Sequence, residues 1–157
     1  MNGLLETEDT LIVDSFALYQ VATGHSEKAE TVRQAVLQGA MTVSVSAMAV
    51  ATACGMRSCW DEDCATRHPW NSSALIRGLC VRPELDMVPP SLETSMAAGH
   101  LYASFASRRV EGPEVLSSCH SALMAQELGQ PLLTTVRAAY CYSGHTVRQL
   151  GIRMLTL

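Results

Sequence analysis

Residues 11–19, from Leu11 to Tyr19, constrain this chain more than any other stretch. Three apolar residues, Leu11, Ile12 and Val13, end in a carboxylate, Asp14. A hydroxyl, Ser15, follows, and then an apolar helical pattern. An unbroken apolar run of this kind is how a strand buried on both faces reads. The acid that closes it is delivered to the C-terminal edge of a parallel sheet, where open α/β folds bind ligands. Asp14 is therefore either the seed of a site or the remnant of one.

The remaining chain alternates helical and strand patterns. Ser15 to Thr23 is predicted helical and stops near Gly24. Ser26 caps a second helix, with Glu27 and Glu30 in its first turn where the helix dipole favours anions; it runs to about Gln38 and stops at Gly39. Met41 to Val45 is β-branched and reads as a second strand. A third helix is expected from Ala47 to about Cys59, then an irregular stretch from Trp60 to Pro69 and a short helix from Asn71 to Leu79. Glu84 to Val88 reads as a strand closed by Pro89 and Pro90. Ser91 caps a long helix to about Arg109, and Glu114 to Leu128 forms another, stopped by Gly129. Leu132 to Thr134 and Ile152 to Leu155 complete the strands. With no linker, repeat or low-complexity tract, the expectation is one domain over residues 1–157. Its class is three-layer α/β/α, with a central, mostly parallel sheet of four to five strands.

Composition narrows the function classes. Hydrophobic residues make up 48% of the chain and charged residues 17%, which excludes intrinsic disorder. A net charge of −4 carries no overall electrostatic footprint for nucleic acid or an anionic membrane. No apolar run reaches the roughly 18–20 residues needed to span a bilayer. Met1 to Asp9 is polar and acidic rather than leader-like. The six cysteines, Cys54, Cys59, Cys64, Cys80, Cys119 and Cys141, are accordingly expected to be reduced thiols in a cytoplasmic protein.

Three segments, in this order, resemble the PIN domain, the fold of VapC-type toxin ribonucleases. Leu11 to Thr23 resembles its opening strand, acid and helix, and Val43 to Gly55 its second strand and helix. Leu116 to Thr134, with the run Ala125-Gln126-Glu127-Leu128-Gly129-Gln130-Pro131-Leu132-Leu133-Thr134, resembles its late helix, glycine stop and strand. Val88 to Ala103 is similar to its middle helix. The resemblance implies carboxylates gathered at the sheet edge around Mg²⁺ or Mn²⁺, hard cations that take oxygen ligands and activate water. Carried over residue by residue, the first acid is Asp14. The second falls on Thr52, the third on Ser118 or its neighbour Cys119, and the fourth on Val136. The hydroxyls Ser15 and Thr134 match the pattern. Asp61, about 14 Å beyond Thr52 along a helix, is too far to substitute; whether Glu114, one helical turn or about 6 Å before Ser118, reaches the crevice stays open, and two carboxylates would still make a poor nuclease site. The resemblance thus implies a degenerate site in a chain that, like many of the family, forms a homodimer.

Other constellations carry less. Cys54, Cys59, Cys64 and His68 are spaced too widely for the usual zinc pattern, and successive thiols on a helix would diverge by about 140°. His120, after Ser118 and Cys119, invites a nucleophile–base reading with Asp14, but no nucleophile elbow accompanies it; a helix-packing histidine is the plainer reading. The sequence around His25, His100 and His145 carries no signal of a site. The methionines fall mostly on apolar faces and fill a core. Trp60 and Trp70 flank the acidic segment and suit either an interface anchor or partial burial. No dinucleotide-binding or P-loop glycine pattern occurs. Arg137, directly after Val136, joins Ser15 and Thr134 as a candidate anion site.

Three functions follow as expectations. The first is a non-catalytic binding or regulatory module, a homodimer with a further, unidentified protein partner and no cofactor. The second is a Mg²⁺- or Mn²⁺-dependent endoribonuclease toxin with a displaced site. The third is a sensor whose crevice takes a nucleotide or other phosphate.

Overall fold

The computed structural model of the chain describes residues 8–56, 72–106, 113–142 and 148–157. Strand β1 (Thr10–Val13) leads directly into α1 (Ser15–Thr23), followed by α2 (Glu27–Leu37), β2 (Thr42–Ser46) and α3 (Ala47–Gly55). Then come α4 (Ser72–Cys80), β3 (Leu85–Val88), α5 (Leu92–Ala106) and α6 (Pro113–Leu128). Strand β4 (Leu132–Thr134), a 3₁₀ helix (Ala138–Tyr142) and β5 (Met154–Thr156) close the chain. The strands form one sheet in the order β3-β2-β1-β4-β5, with every pairing parallel.

Alternation along the central strands divides the core in two. Leu11 and Val13 of β1, Val43 and Val45 of β2 and Leu133 of β4 face a layer containing Val32 and Val36 of α2, Ala49 and Ala53 of α3, and Ile76 and Leu79 of α4. Ile12 and Leu132 point the other way, into a layer with Ala98 and Leu101 of α5, Val115, Ala122 and Ala125 of α6, and Tyr142. A strand with period-two side chains can serve both layers only if nearly every residue is apolar. That is why β1 reads as an unbroken run. Helix α1 follows β1 so tightly that it spans the division: Phe16 joins the second layer, while Ala17, Leu18 and Val21 join the first.

The expected boundaries need small corrections. The second strand extends to Ser46, which is both the last strand residue and the N-cap of α3. The fifth strand is displaced to Met154–Thr156, because its register is set by pairing with β4 rather than by its own hydrophobicity. The third helix ends at Gly55, short of the expected Cys59. Trp60, Asp61, His68, Trp70, Arg108, Arg109 and His145 lie outside the described residues, as do Cys59 and Cys64. The 3₁₀ helix has no counterpart in the sequence-based expectation.

Two helix stops use the left-handed backbone that glycine permits. At Gly24, φ is 62°, and an added Cβ would come within 2.6 Å of Glu30 Oε2. At Gly129, φ is 63° and the surrounding space is open. Gly129→Ala should therefore lose only the backbone cost of about 1–2 kcal/mol. Gly24→Ala should lose more, since the Glu30 carboxylate that holds Arg33 and Gln34 at 2.8 Å must move. Parallel urea unfolding of the two variants checks this order.

Candidate functional site

The strand order reverses direction between β1 and β4, the topological switch point at which parallel sheets leave a crevice beyond their C-terminal ends. Asp14 stands there as the residue immediately after β1. It has extended backbone angles and serves as N-cap of α1, its Oδ1 accepting the Ala17 N–H at 2.8 Å. Its other oxygen accepts two hydroxyls: Thr134 Oγ1, at the end of β4, donates at 2.5 Å. Tyr142 Oη, from the 3₁₀ helix, donates at 2.7 Å. Asp14 is fully buried, as are Ser15 and Thr134. Burial pushes the Asp14 carboxyl above its ordinary value, against the opposing pull of the Ala17 N–H and the Thr134 and Tyr142 hydroxyls.

Helix α6 presents a second group of buried polar side chains. Ser117, Ser118, His120 and Ser121 are all at or below 1% exposure, so they make up a polar face turned inward. Ser117 Oγ donates to the Glu114 carbonyl at 3.0 Å and to Ser15 Oγ at 3.3 Å, which fixes the start of α6 beside the Asp14 loop. Ser121 Oγ donates to the Ser117 carbonyl. His120 Nδ1 meets Ser46 Oγ at 2.5 Å, joining α6 to the C-terminal end of β2. Ser46 Oγ also accepts the Met48 N–H, leaving the hydroxyl proton to point at the imidazole. Desolvation holds His120 below its ordinary pKa, with Glu127 pulling weakly the other way. Ser118 Oγ is buried with no hydrogen-bond partner among the described residues.

The positions picked out in the sequence are distributed unevenly around this edge. Asp14, Ser15 and Thr134 are together, with Ser118 one residue from Ser117. Thr52 is half-buried on α3 and donates its hydroxyl back to the Met48 carbonyl. Glu114 is half-buried in the first turn of α6. Val136, at 70% exposure, stands in the turn after β4 rather than within the buried cluster, and Arg137 is exposed beside it. Ser117 and Ser121 escaped the sequence reading, and so did two partners distant in the chain. Tyr142 lies 128 residues from Asp14, with no local pattern to mark it. Ser46, just before the expected third helix, has no local mark as the partner of His120, 74 residues away.

A hard cation takes oxygen ligands, and a ligating carboxylate is commonly hydrogen-bonded as well. Asp14 Oδ1 accepts the Ala17 N–H, and Oδ2 accepts the Thr134 and Tyr142 hydroxyls. Among the described residues, no group of three or more His, Cys, Asp or Glu side chains is placed to share a metal ion.

No family model and no curated protein matches the sequence. Among solved structures, the chain is similar to a chain of VapBC2 from Rickettsia felis, in a crystal structure of VapBC2 bound to a DNA fragment from their promoter. The TM-score is 0.57 at 10% identity, over 94% of this chain and 98% of the other. The fold is PIN-like. The five-stranded parallel sheet with helices on both faces agrees with the three-layer class expected from the sequence. Among the described residues, no helix is long and apolar enough to cross a membrane.

Two opposite pH effects follow from this edge. Burial lowers the His120 pKa in the folded chain, so its contribution is complete above its unfolded value near 6.5 and declines as pH falls from there through the lowered value. His120→Gln should remove this acid-side slope. Asp14 has the reverse sign. Its raised value means the folded chain binds the proton more readily, so its contribution falls as pH climbs from 3.8 through the raised value. Asp14→Asn should gain on the wild type over that window, whereas Asp14→Ala, which orphans two buried hydroxyls and a cap, should lose about 2–4 kcal/mol. Urea melts between pH 4 and pH 8 measure all three.

Proposed function

We propose that this chain is a PIN-like module that works by binding rather than by metal-dependent cleavage, as a regulatory protein that pairs with itself and with another protein. The observation that carries this reading is the state of Asp14. A catalytic carboxylate at a sheet edge has to offer oxygen to a cation and to water. This one is sealed from solvent and satisfied by Ala17, Thr134 and Tyr142. The positions that the PIN resemblance assigns to further acids hold Thr52, Ser118 and Val136, none of which carries charge. Hydroxyls thus do for Asp14 what a cation does in a metal site: they neutralise its demand for positive partners. The protein and promoter-DNA partners named for the VapBC2 structure support a regulatory, complex-forming role. Within this reading the cytoplasm is the compartment, and the thiols stay reduced.

A second reading, a Mg²⁺- or Mn²⁺-dependent endoribonuclease, is favoured by one observation: Asp14 occupies the switch point of a fold shared with the VapBC2 chain. Glu114, at the start of α6, is the residue that would have to join it. A nucleotide- or phosphate-binding variant would instead use Ser15, Thr134 and Arg137. The full burial of Ser15 and Thr134 weighs against that variant.

Two assays on the same protein separate these readings. Thermal melts with and without millimolar Mn²⁺ should coincide, because a ligand that does not bind the folded state cannot raise its stability. Single-stranded RNA should survive incubation with wild type and with Asp14→Asn alike. Manganese-dependent cleavage by wild type that disappears in Asp14→Asn would establish the nuclease instead.

A further inference from the structure

The three donors on Asp14 are not equally tied to the fold. The Ala17 N–H belongs to the first turn of α1, three residues away. Thr134 ends β4, where it pairs with Thr156 of β5, and the Leu133 carbonyl before it accepts the Asp14 N–H at 3.2 Å. Neither donor can leave without breaking α1 or the sheet. Tyr142 is different. It ends a 3₁₀ helix of five residues that takes no part in the sheet. A 3₁₀ helix has poorer hydrogen-bond geometry than an α-helix and is seldom sustained beyond three or four residues. Thr135 starts this one: its Oγ1 accepts the Ala138 N–H at 3.1 Å, and its carbonyl accepts the Ala139 N–H at 3.0 Å. Ala138 and Tyr142 join the helix to the core, in the layer with Ile12 and Phe16. Between strand and helix, Val136 and Arg137 are exposed, so the chain leaves the core after Thr135 and returns at Ala138.

We propose that this 3₁₀ helix is a latch on the sheet edge: residues 138–142 detach as a unit while the sheet and α1 stay folded, withdrawing Tyr142 Oη from Asp14 Oδ2. Local opening of this kind draws on elements with few directional ties to the rest of a fold. In the closed state Asp14 is the buried acceptor described above. In the open state Oδ2 keeps the Thr134 hydroxyl and offers its remaining acceptor capacity to water or to a ligand hydroxyl. The availability of Asp14 is then a two-state property, with the phenol as its internal competitor. A ligand that engages Asp14 only in the open state binds more weakly by the fraction of chains that are open, and it shifts the population toward that state. The latch rests on the reading of Asp14 as satisfied from within and is independent of whether the chain cleaves RNA.

Native-state hydrogen exchange of the full chain, resolved to residues 138–142 and to β1 and β4, tests it. In the wild type the 138–142 amides should exchange about a hundredfold faster than those of the two strands, and with little dependence on added urea, because a local opening exposes little surface. Tyr142→Phe keeps the ring and removes the hydroxyl; it should speed exchange of 138–142 by about tenfold. Val36→Ala, in the opposite layer on α2, should speed β1 and β4 and leave 138–142 unchanged, since that layer stays packed in the open state. Carbodiimide coupling at Asp14, read by mass spectrometry, should keep step with 138–142 across the same variants. Exchange of 138–142 at the rate and urea dependence of β1 and β4 overturns the latch. So does Asp14 coupling that Val36→Ala speeds and Tyr142→Phe does not. Manganese-dependent RNA cleavage by a chain whose latch opens would sink the non-catalytic reading and keep the latch; intact RNA with helix and strands exchanging together would do the reverse.

Discussion

One buried carboxylate ties together the three segments that meet at the sheet's C-terminal edge. Asp14 caps α1, accepts a hydroxyl from the end of β4, and accepts another from the 3₁₀ helix that follows. An isolated charge in that position would be intolerable in an apolar interior. The geometry of Thr134 and Tyr142 is therefore a condition of the fold as well as a feature of the site. Because β1 and β4 are neighbours at the switch point, the same bonds fix the register at which the two halves of the sheet join.

The inward polar face of α6 plays the matching part on the other half of the sheet. Helix α6 lies against α5, α3 and the 3₁₀ helix, and it borders β1, β2 and β4. A helix so enclosed would ordinarily be apolar all round. Here Ser117, Ser121 and His120 are buried because each finds a partner in its own helix, in Ser15 or in Ser46. The bonds reach the loop after β1 and the end of β2, so α6 is positioned by directional contacts rather than by hydrophobic packing alone. Buried networks of this kind specify a single arrangement when they are satisfied. Ser118 is the exception, a hydroxyl enclosed without a partner among the described residues.

These two networks bear directly on chemistry. A nuclease edge of this fold would keep its acids open to a cation, and stability would rise when the ion arrived. The edge here is hydrogen-bonded from within, where burial raises the Asp14 carboxyl and lowers the His120 imidazole.

The sequence by itself determined the layer architecture and the place of Asp14. Both are local consequences of pattern: an apolar run long enough to be buried on two faces, then an acid, then a helix. The helix start at Ser26 and the stops at Gly24 and Gly129 were legible for the same reason, since capping is chemistry between residues two to four apart. The resemblance to PIN domains likewise rested on the order of such local segments. Tertiary structure alone decided what Asp14 and His120 are bonded to. Tyr142 is 128 residues from Asp14, and Ser46 is 74 residues from His120. No periodicity links such pairs; they meet because the strand order brings the ends of β1, β2 and β4 to one edge beneath α6. Val136 shows the same limit from the other side. Its distance along the chain from Thr134 suggested a place in the crevice, but the backbone turns outward after β4 and leaves it in solvent.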